Sequence, residues 1–242
     1  MQRHMMNLNW KQFQKLVPAQ TDRVILPVGT VEAHGPGALG TDVIIPSHLA
    51  ERLADPLNAL IAPAVPYGIT RSLIGFPGSL TVTPQTFERY VGEIGLSLGE
   101  AGFKRIVIIN GHGGNNEQLK RVSQRLWDAG RLRSVVVHWW IAAQEIGTKH
   151  FGGTGHAVAD ELAALQAIDP GLVSTADYRK EEAGSSPAGI APYPYHAAMI
   201  LNQPGKGYPD FNAAASERYL AEAIALITAS LREIMEGWDR IG

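Results

Sequence analysis

The sequence predicts an α/β fold with a mostly parallel central sheet, because short apolar runs alternate along the chain with longer amphipathic segments. A length of 242 residues and an apolar content of 45% are sufficient for a substantial core. No long linker rich in Ser, Pro or Gly divides the chain, and no repeat recurs at a fixed period. We therefore expect a single domain over residues 1–242.

Each apolar run is predicted as a strand, and each amphipathic segment as a helix packed on the sheet. A short helix over 10–16 precedes the first strand. Runs of consecutive apolar residues are typical of buried parallel strands, and strands are predicted over 24–28, 58–63, 106–109 and 134–140. Helices with an apolar face are predicted over 47–53, 85–101, 116–129, 156–168 and 213–238. Pro84 supports the start of the second of these, because proline is tolerated in the first turn of a helix.

Two segments are predicted to be irregular. Residues 67–82 contain too many glycines and prolines for a continuous helix, and we expect them to bend around a cleft. The proline-rich stretch 187–194 is predicted to be a long loop. Residues 67–73, 139–151 and 187–196 are expected to line the pocket and to decide which substrate binds.

Two of the predicted strands end at potential metal ligands. Glu32, His34 and Asp42 follow strand 24–28, and His112 lies in a glycine-rich stretch directly after strand 106–109. Because the carboxyl ends of parallel strands share one edge of a sheet, these side chains can converge although they are distant in sequence. A single buried histidine is usually a hydrogen-bonded core residue, but buried carboxylates rarely lack a partner. The four residues together favour a bound divalent cation over a purely structural role.

The glycine-rich stretch has a second interpretation, and a third group of residues is ambiguous when considered alone. Glycines between a strand and a helix can also hold a phosphate, although no Lys-Ser or Lys-Thr pair follows them here. His156, Asp160 and Glu161 open the predicted helix 156–168, so an acid one turn away can lie beside the histidine. Ordinary helix capping explains this group equally well unless it joins the other two.

The composition argues against macromolecular partners. The chain has 21 Lys+Arg and 23 Asp+Glu, a net charge of -2, and neither sign forms a block that would attract nucleic acid or an anionic membrane. The first residues lack the apolar core of a secretory signal, and no run is long enough to span a bilayer. We therefore expect a cytoplasmic protein that acts on a small molecule. With no cysteine in the chain, nitrogen and oxygen must supply the ligands, which suits Zn²⁺, Mn²⁺ or Fe²⁺.

Several motifs resemble those of the creatininase family of metal-dependent amidohydrolases, and the similarity covers most of the chain. The motifs are LPVGTVEAHGP at 26–36, GTD at 40–42, FPGSL at 76–80, NGHGGN at 110–115 and GYPD at 207–210. The resemblance implies a three-layer α/β/α fold that commonly assembles as a homo-oligomer, a hexamer. It also implies divalent metals at the strand ends, Zn²⁺ first among the candidates and one or two per subunit.

The resemblance also assigns roles to individual residues. It implies four metal ligands: Glu32, His34, Asp42 and His112. Asp42 is similar to the aspartate that bridges two metals in the family. The resemblance places His156 near the substrate, and Glu161 matches a family glutamate five residues after that histidine. Trp140, or its neighbour Trp139, matches one of the two tryptophans that enclose creatinine in creatininase.

The chain departs from creatininase at the second metal. Creatininase has a glutamate two residues after the histidine of the NGHGGN motif, and here that position is Gly114. Other relatives have a glutamate three residues after the later histidine, and here that position is Ala159. A single bound metal and recruitment of Glu161 to a second metal both stay open. Creatinine itself is not the expected substrate, because the second enclosing tryptophan falls near Gly152.

These patterns predict hydrolysis of a non-peptide C–N bond, in a cyclic amide or a formamide-like group, by a metal-activated water. His156 is the predicted proton carrier, and Glu161 is expected to orient it or relay its proton. Asn110 and the amides around Gly113 are expected to stabilise the oxyanion, and Trp140 to contact the substrate. Two alternatives remain: a non-catalytic protein that binds a small molecule or phosphorylated metabolite, and a scaffold subunit.

Overall fold

Four parallel strands form the central sheet of this computed structural model, which describes residues 1–185, 190 and 192–241. The strands are β1 (Arg23–Val28), β2 (Leu60–Ile61), β3 (Arg105–Asn110) and β4 (Arg133–His138). Their order across the sheet is β2-β1-β3-β4. β1 and β3 are paired over their whole length, with Val28 opposite Asn110 at the carboxyl end. The two strands therefore end side by side.

Helices cover both faces of this sheet. One face carries α2 (Thr41–Ala54), α7 (Ala159–Ile168) and α8 (Ala213–Arg240), and the other carries α1 (Trp10–Leu16), α3 (Pro84–Glu100) and α4 (Asn116–Gly130). Successive strand residues point to opposite faces, so Ile25 packs in the first core and Val24 in the second. The predicted three-layer α/β/α fold is confirmed.

The helix that carries Asp42 begins earlier than predicted. The sequence predicts a helix over 47–53, but α2 starts at Thr41 and includes Pro46. A proline inside a helix lacks one amide donor and usually breaks the helix, but Pro46 does not break α2. Because α2 continues through the proline, Asp42 lies in the first turn of a helix.

The predicted helix over 156–168 is wrong at its start. Gly155–His156 form a short strand, β5, that pairs antiparallel with β7 (Met199–Leu201). β7 also pairs parallel with β6 (Ala183–Ser185), which completes a small three-stranded sheet. Strands of two or three residues are too short to show a period in the sequence. They form because tertiary contacts hold them in place.

One further boundary differs from the predictions. The strand predicted over 134–140 ends at His138, and the two tryptophans that follow begin a short helix, α5 (Trp139–Ala142). α6 (Gln144–Phe151) continues from it.

Residues 67–82 contain no helix or strand, as predicted. Half of the predicted loop 187–194, residues 187–189 and 191, lies outside the described residues. Over the described ranges, no helix combines the length and hydrophobicity required to cross a bilayer.

The strand order creates a crevice at one edge of the sheet. From β1 the chain passes to β2 on one side, and it then returns to β3 on the other side. The connections that leave neighbouring strands in opposite directions open a crevice at the carboxyl ends of those strands, where ligands bind in open α/β sheets. The motifs after β1 and β3 are therefore placed around one point.

Candidate metal centre

Four buried side chains meet at the carboxyl ends of β1 and β3. Glu32 and His34 follow β1, Asp42 comes from the first turn of α2, and His112 follows β3. The two oxygens of Asp42 each lie 3.0 Å from an imidazole nitrogen, Nε2 of His34 and Nδ1 of His112. Nδ1 of His112 is also 3.1 Å from Oε1 of Glu32. The structure thus brings together the four residues that the sequence predicts as metal ligands.

Close backbone packing places Asp42 in this position. A Cβ atom added to Gly29 would lie 2.1 Å from the carbonyl oxygen of Asp42, and one added to Gly111 would lie 2.0 Å from the same atom. Real side chains do not tolerate such distances, so only glycine lets both strand ends approach the first turn of α2.

A fifth residue, Glu161, joins the group from α7. Its Oε2 lies 3.7 Å from Nε2 of His34, and it accepts a hydrogen bond of 2.6 Å from the backbone amide of Ala157. Ala157 has a positive φ of 54°, an uncommon conformation for a residue with a side chain. The hydrogen bond from Ala157 thus holds the Glu161 carboxylate beside His34.

Backbone carbonyl oxygens orient three imidazoles. Nδ1 of His34 lies 3.1 Å from the carbonyl oxygen of Glu32, and Nε2 of His112 lies 2.9 Å from that of Ile69. Nε2 of His156 lies 3.1 Å from the carbonyl oxygen of Ala33. When each of these nitrogens donates its N–H, the other ring nitrogen keeps a lone pair that faces the carboxylates. Metal-binding histidines are typically oriented in this way.

Several buried polar atoms have no hydrogen-bond partner among the described residues. They are both carboxylate oxygens of Glu32, Oδ2 of Asp42 and Nε2 of His34. The imidazoles stand only 3.0–3.1 Å from these groups, and these atoms are still without a hydrogen-bond partner in the described part of the chain. Since a buried polar atom without a partner costs free energy, the atoms fit a cation between them better than they fit one another.

The donor atoms fall into overlapping sets of three that are within 4.8 Å of one another. One set is Glu32, Asp42 and His112, and another is His34, Asp42 and Glu161. Asp42 belongs to both, which suits a carboxylate that bridges two cations. All donors are imidazole nitrogen or carboxylate oxygen, as Zn²⁺ and Mn²⁺ accept. The residues present therefore fit one or two divalent metals.

The structure accounts for the glycine at position 114. A Cβ atom there would lie 2.2 Å from the carbonyl oxygen of Ile69 and 2.5 Å from Nε2 of His112. A glutamate in this position would therefore displace the contact that orients His112. Glu161 supplies a carboxylate 3.7 Å from Nε2 of His34.

The charges of this cluster are mutually dependent. Burial alone lowers the pKa of His34, but the carboxylates of Asp42, Glu161 and Glu32 outweigh burial and raise it to about 10. Burial likewise opposes the charged form of His112, and Glu32 and Asp42 raise its pKa well above the ordinary value. The pKa of Asp42 would rise on burial, yet the two imidazoles hold it far below its usual range. The carboxylates thus stabilise a positive charge between them and the two imidazoles.

His156 lies at the edge of the cluster, on β5. Its Nδ1 is 3.7 Å from Oε1 of Glu32 and 3.8 Å from Oε2 of Glu161, and its side chain keeps 20% of its exposure. Burial lowers the pKa of His156 to about 4, and the positive charge of His34 acts in the same direction. The imidazole is therefore neutral near pH 7. His156 can also complete a third set of donors with Glu32 and His34.

A cavity of about 480 Å³ opens above the cluster, a size typical of small-molecule sites. Gly113 and Trp140 line it, as predicted for substrate contacts, and so does His156. The three segments expected to form the wall all contribute, through residues such as Ile69, Trp140 and Tyr195. Asn202, which follows β7, also lines the cavity, and nothing in the sequence pattern singles it out.

Asn110 occupies a different place from the one predicted. Its side chain is fully buried and does not line the cavity. Its amide nitrogen donates to the carbonyl oxygen of His112 and to Oδ1 of Asn116, and its Oδ1 accepts from the amide of His112. Through these bonds, Asn110 positions the loop that carries His112.

Comparison with known proteins shows which family this chain resembles. The family model described as creatininase, creatinine amidohydrolase, matches residues 6–234. A creatinine amidohydrolase of Pseudomonas putida is 32% identical over 186 residues, which cover 69% of this chain and 72% of that protein. A mycofactocin precursor peptide peptidase of Mycolicibacterium smegmatis is 36% identical over half of each chain. A 3-dehydro-scyllo-inosose hydrolase of Thermotoga maritima is 33% identical over 31% of its own length.

Solved structures give the same result for the fold. A creatininase in a form designated Mn superposes with a TM-score of 0.76 at 23% identity, covering 96% of this chain and 98% of its own. A putative creatinine amidohydrolase from Bacteroides fragilis superposes with a TM-score of 0.78 at 23% identity, covering 96% of both chains. The match to the family model extends over nearly the whole sequence and over every motif around the site. The chain therefore belongs to the creatininase family of amidohydrolases.

Proposed function

We propose that the protein hydrolyses a C–N bond of a small molecule at a centre of two divalent metals, held by Glu32, His34, Asp42, His112 and Glu161. Family membership supports metal-dependent C–N hydrolysis, and therefore an enzyme and not a binding module or scaffold. The observation that carries the proposal is the orientation of the imidazoles. Each gives one nitrogen to a backbone carbonyl and turns the other towards buried carboxylates that lack hydrogen-bond partners.

In this proposal each of two sets of donors binds one cation. Glu32, Asp42 and His112 would hold one cation, and His34, Asp42 and Glu161 would hold the other. A divalent cation bound there lowers the pKa of water and polarises a carbonyl oxygen. Zn²⁺ is our first candidate, with Mn²⁺ or Fe²⁺ as alternatives, because the donors are nitrogen and oxygen.

His156 handles the proton in the proposed reaction. Its Nε2–H is directed to the carbonyl oxygen of Ala33, so Nδ1 is the free base on the side of the cavity. Water adds to the carbonyl carbon, and Nδ1 takes the proton that the water loses. The C–N bond then breaks, and the same proton passes to the departing nitrogen. A neutral imidazole suits both steps. The loop amides around Gly113 face the carbonyl oxygen.

The substrate class is proposed from the sequence patterns and the cavity. A cyclic amide or a formamide-like group on a small molecule fits a cavity of about 480 Å³, with Trp140 as one wall. The named relatives include a creatinine amidohydrolase and peptidases of a peptide precursor, so short peptides belong in any test panel. We further propose one domain over residues 1–242, a hexamer and a cytoplasmic location, and light scattering after size-exclusion chromatography tests the hexamer.

Metal content and turnover test the proposal together. The chelated protein is reloaded with Zn²⁺, Mn²⁺ or Fe²⁺, and hydrolysis is measured on cyclic amides, formamides and short peptides. We expect turnover to vanish on chelation and to return with metal. Asp42→Asn should lose both metals, because Asp42 belongs to both sets, and Glu161→Gln should lose one.

Asp160→Asn provides the matched control for these variants. Asp160 is also a buried carboxylate of α7, but it accepts the amide of Gly155 and belongs to none of the three donor sets. It should keep the metal content of the unaltered chain. An Asp42→Asn variant that retains its metals, or turnover that is insensitive to chelation, contradicts the proposed function.

A further inference from the structure

The cavity above the metal centre has a strongly unequal distribution of charge. Three carboxylates, those of Glu32, Asp42 and Glu161, line its floor. Among the described residues that line it, the only lysine or arginine is Arg71. Arg71 is exposed and belongs to the irregular segment that bends over the cavity. A single guanidinium therefore stands at the mouth of an otherwise acidic cavity.

The backbone on both sides of Arg71 is tied down. The amide of Thr70 donates a 3.0 Å hydrogen bond to Oγ1 of Thr81, and the carbonyl oxygen of Ser72 accepts a 2.8 Å bond from the amide of Tyr195. The carbonyl oxygen of Ile69, two residues earlier, holds His112. Since two residues span at most about 7 Å of chain, Arg71 is fixed close to the metal centre.

The guanidinium of Arg71 is free of protein partners as far as the described residues show. No hydrogen bond or ion pair joins its side chain to any residue in the part of the chain that the structure describes. By contrast, Arg105 is bound by two acids, Asp22 and Asp239. The guanidinium of Arg71 is therefore available to a ligand, and its planar fork of donors matches a carboxylate.

We propose that the substrate carries a carboxylate, separate from the scissile amide, and that Arg71 binds it. This inference rests on the proposed function and specifies its substrate class: an amide of an acid-bearing small molecule, such as an N-formyl amino acid or a lactam carboxylate. The planar guanidinium fork matches a planar carboxylate, and one negative charge matches the single lysine or arginine among the described residues that line the cavity. Arg71 is therefore a specificity-determining residue that positions the amide over the metals.

Matched pairs of probes test this assignment. The first pair is 5-oxoproline and 5-oxoprolinamide, and the second is N-formylglycine and N-formylglycinamide; within each pair, a carboxamide replaces the carboxylate. Binding to the zinc-loaded enzyme is measured by calorimetry, and kcat/KM by release of the product amine. We expect the carboxylate member of a pair to be favoured by about 10-fold or more, as a charge-assisted hydrogen bond implies.

Variants separate Arg71 from other causes of this preference. Arg71→Gln should abolish the preference, because it weakens binding of the carboxylate probe much more than binding of the carboxamide probe, and the metal content should be retained. Arg71→Lys should keep part of the preference. Arg218→Gln, which removes an exposed charge from α8, should behave as the unaltered chain. A carboxylate that binds the metals directly would keep its advantage in Arg71→Gln, and that result overturns the assignment.

The binding measurements test the role of Arg71, and the turnover measurements test the proposed function, so one can be contradicted without the other. Equal binding of both members of each pair by the unaltered enzyme, including no binding of either, overturns the role of Arg71 even when metal-dependent hydrolysis of other amides is intact. Arg71-dependent binding of the carboxylates without any metal-dependent hydrolysis supports Arg71 and contradicts the proposed function.

Discussion

The lone pairs of His34 and His112 are directed by two carbonyl oxygens of the main chain, those of Glu32 and Ile69. This fixed orientation determines what competes for the site. When no cation is bound, a proton takes the same nitrogen, because the surrounding carboxylates favour positive charge there. The carboxylates stabilise this proton and raise the pKa of His34 to about 10.

Metal binding should therefore release protons. At pH 7, below the pKa of about 10, His34 is protonated in the metal-free protein, and His112 has a raised pKa for the same reason. Because coordination requires deprotonated imidazole, we expect about one to two protons to leave per chain, and apparent affinity to rise with pH towards 10. Calorimetric titration with Zn²⁺ in buffers of different ionisation enthalpy counts these protons. A binding enthalpy independent of the buffer contradicts the prediction.

Gly114 supports His112 by having no side chain. We expect Gly114→Ala to destabilise the chelated protein by about 1–3 kcal/mol, as overpacking against a rigid carbonyl does, and to weaken metal binding by moving His112. Urea unfolding and metal titration measure the two effects. Gly113→Ala is the control, because its Cβ would meet only Trp140 at 3.8 Å, and it should be close to neutral in stability. Equal stabilities of the two variants would refute the packing argument.

The helix α2 delivers Asp42 because its first turn packs directly against the ends of β1 and β3. The packing of α2 against the sheet therefore determines where this carboxylate lies. Pro46 does not prevent this, since α2 continues through it.

Separating α2 from the strand ends should disable the site. Gly29→Ala places a Cβ 2.1 Å from the carbonyl oxygen of Asp42, so the first turn must move. We expect metal affinity to fall by about 10–100-fold, the usual effect of disturbing a ligand's support. Gly40→Ala is the matched control, because its Cβ would meet Ile44 at an ordinary 3.5 Å. Isothermal titration compares the two, and unchanged affinity in Gly29→Ala would show that α2 is free to adjust.

The elements that the sequence predicts well are those whose pattern is local. β1 and β3 are continuous apolar runs, and α3, α4 and α8 have long amphipathic periods, so each lies close to its predicted bounds. β5, β6 and β7 are two or three residues long and depend on one another for hydrogen bonds. No local pattern predicts them, and so His156 was assigned to a helix.

Across the whole chain, the same distinction separates the parts of the site. Strand ends in a parallel sheet converge by topology, which is why Glu32, His34 and His112 could be grouped from the sequence. The position of Glu161 beside His34 depends on how α7 packs against α2 and α8, and that packing is a tertiary property. The buried position of Asn110 has the same origin, because its hydrogen bonds form only within the folded loop.

The central claim is that segments from β1, α2, β3 and α7 meet around divalent cations. Anomalous scattering from crystals grown with Zn²⁺, collected on both sides of the zinc edge, tests it most directly. We predict two peaks that share Asp42, one also bound by Glu32 and His112 and the other by His34 and Glu161. A single peak that excludes Asp42, or zinc bound only elsewhere on the protein, would contradict the account.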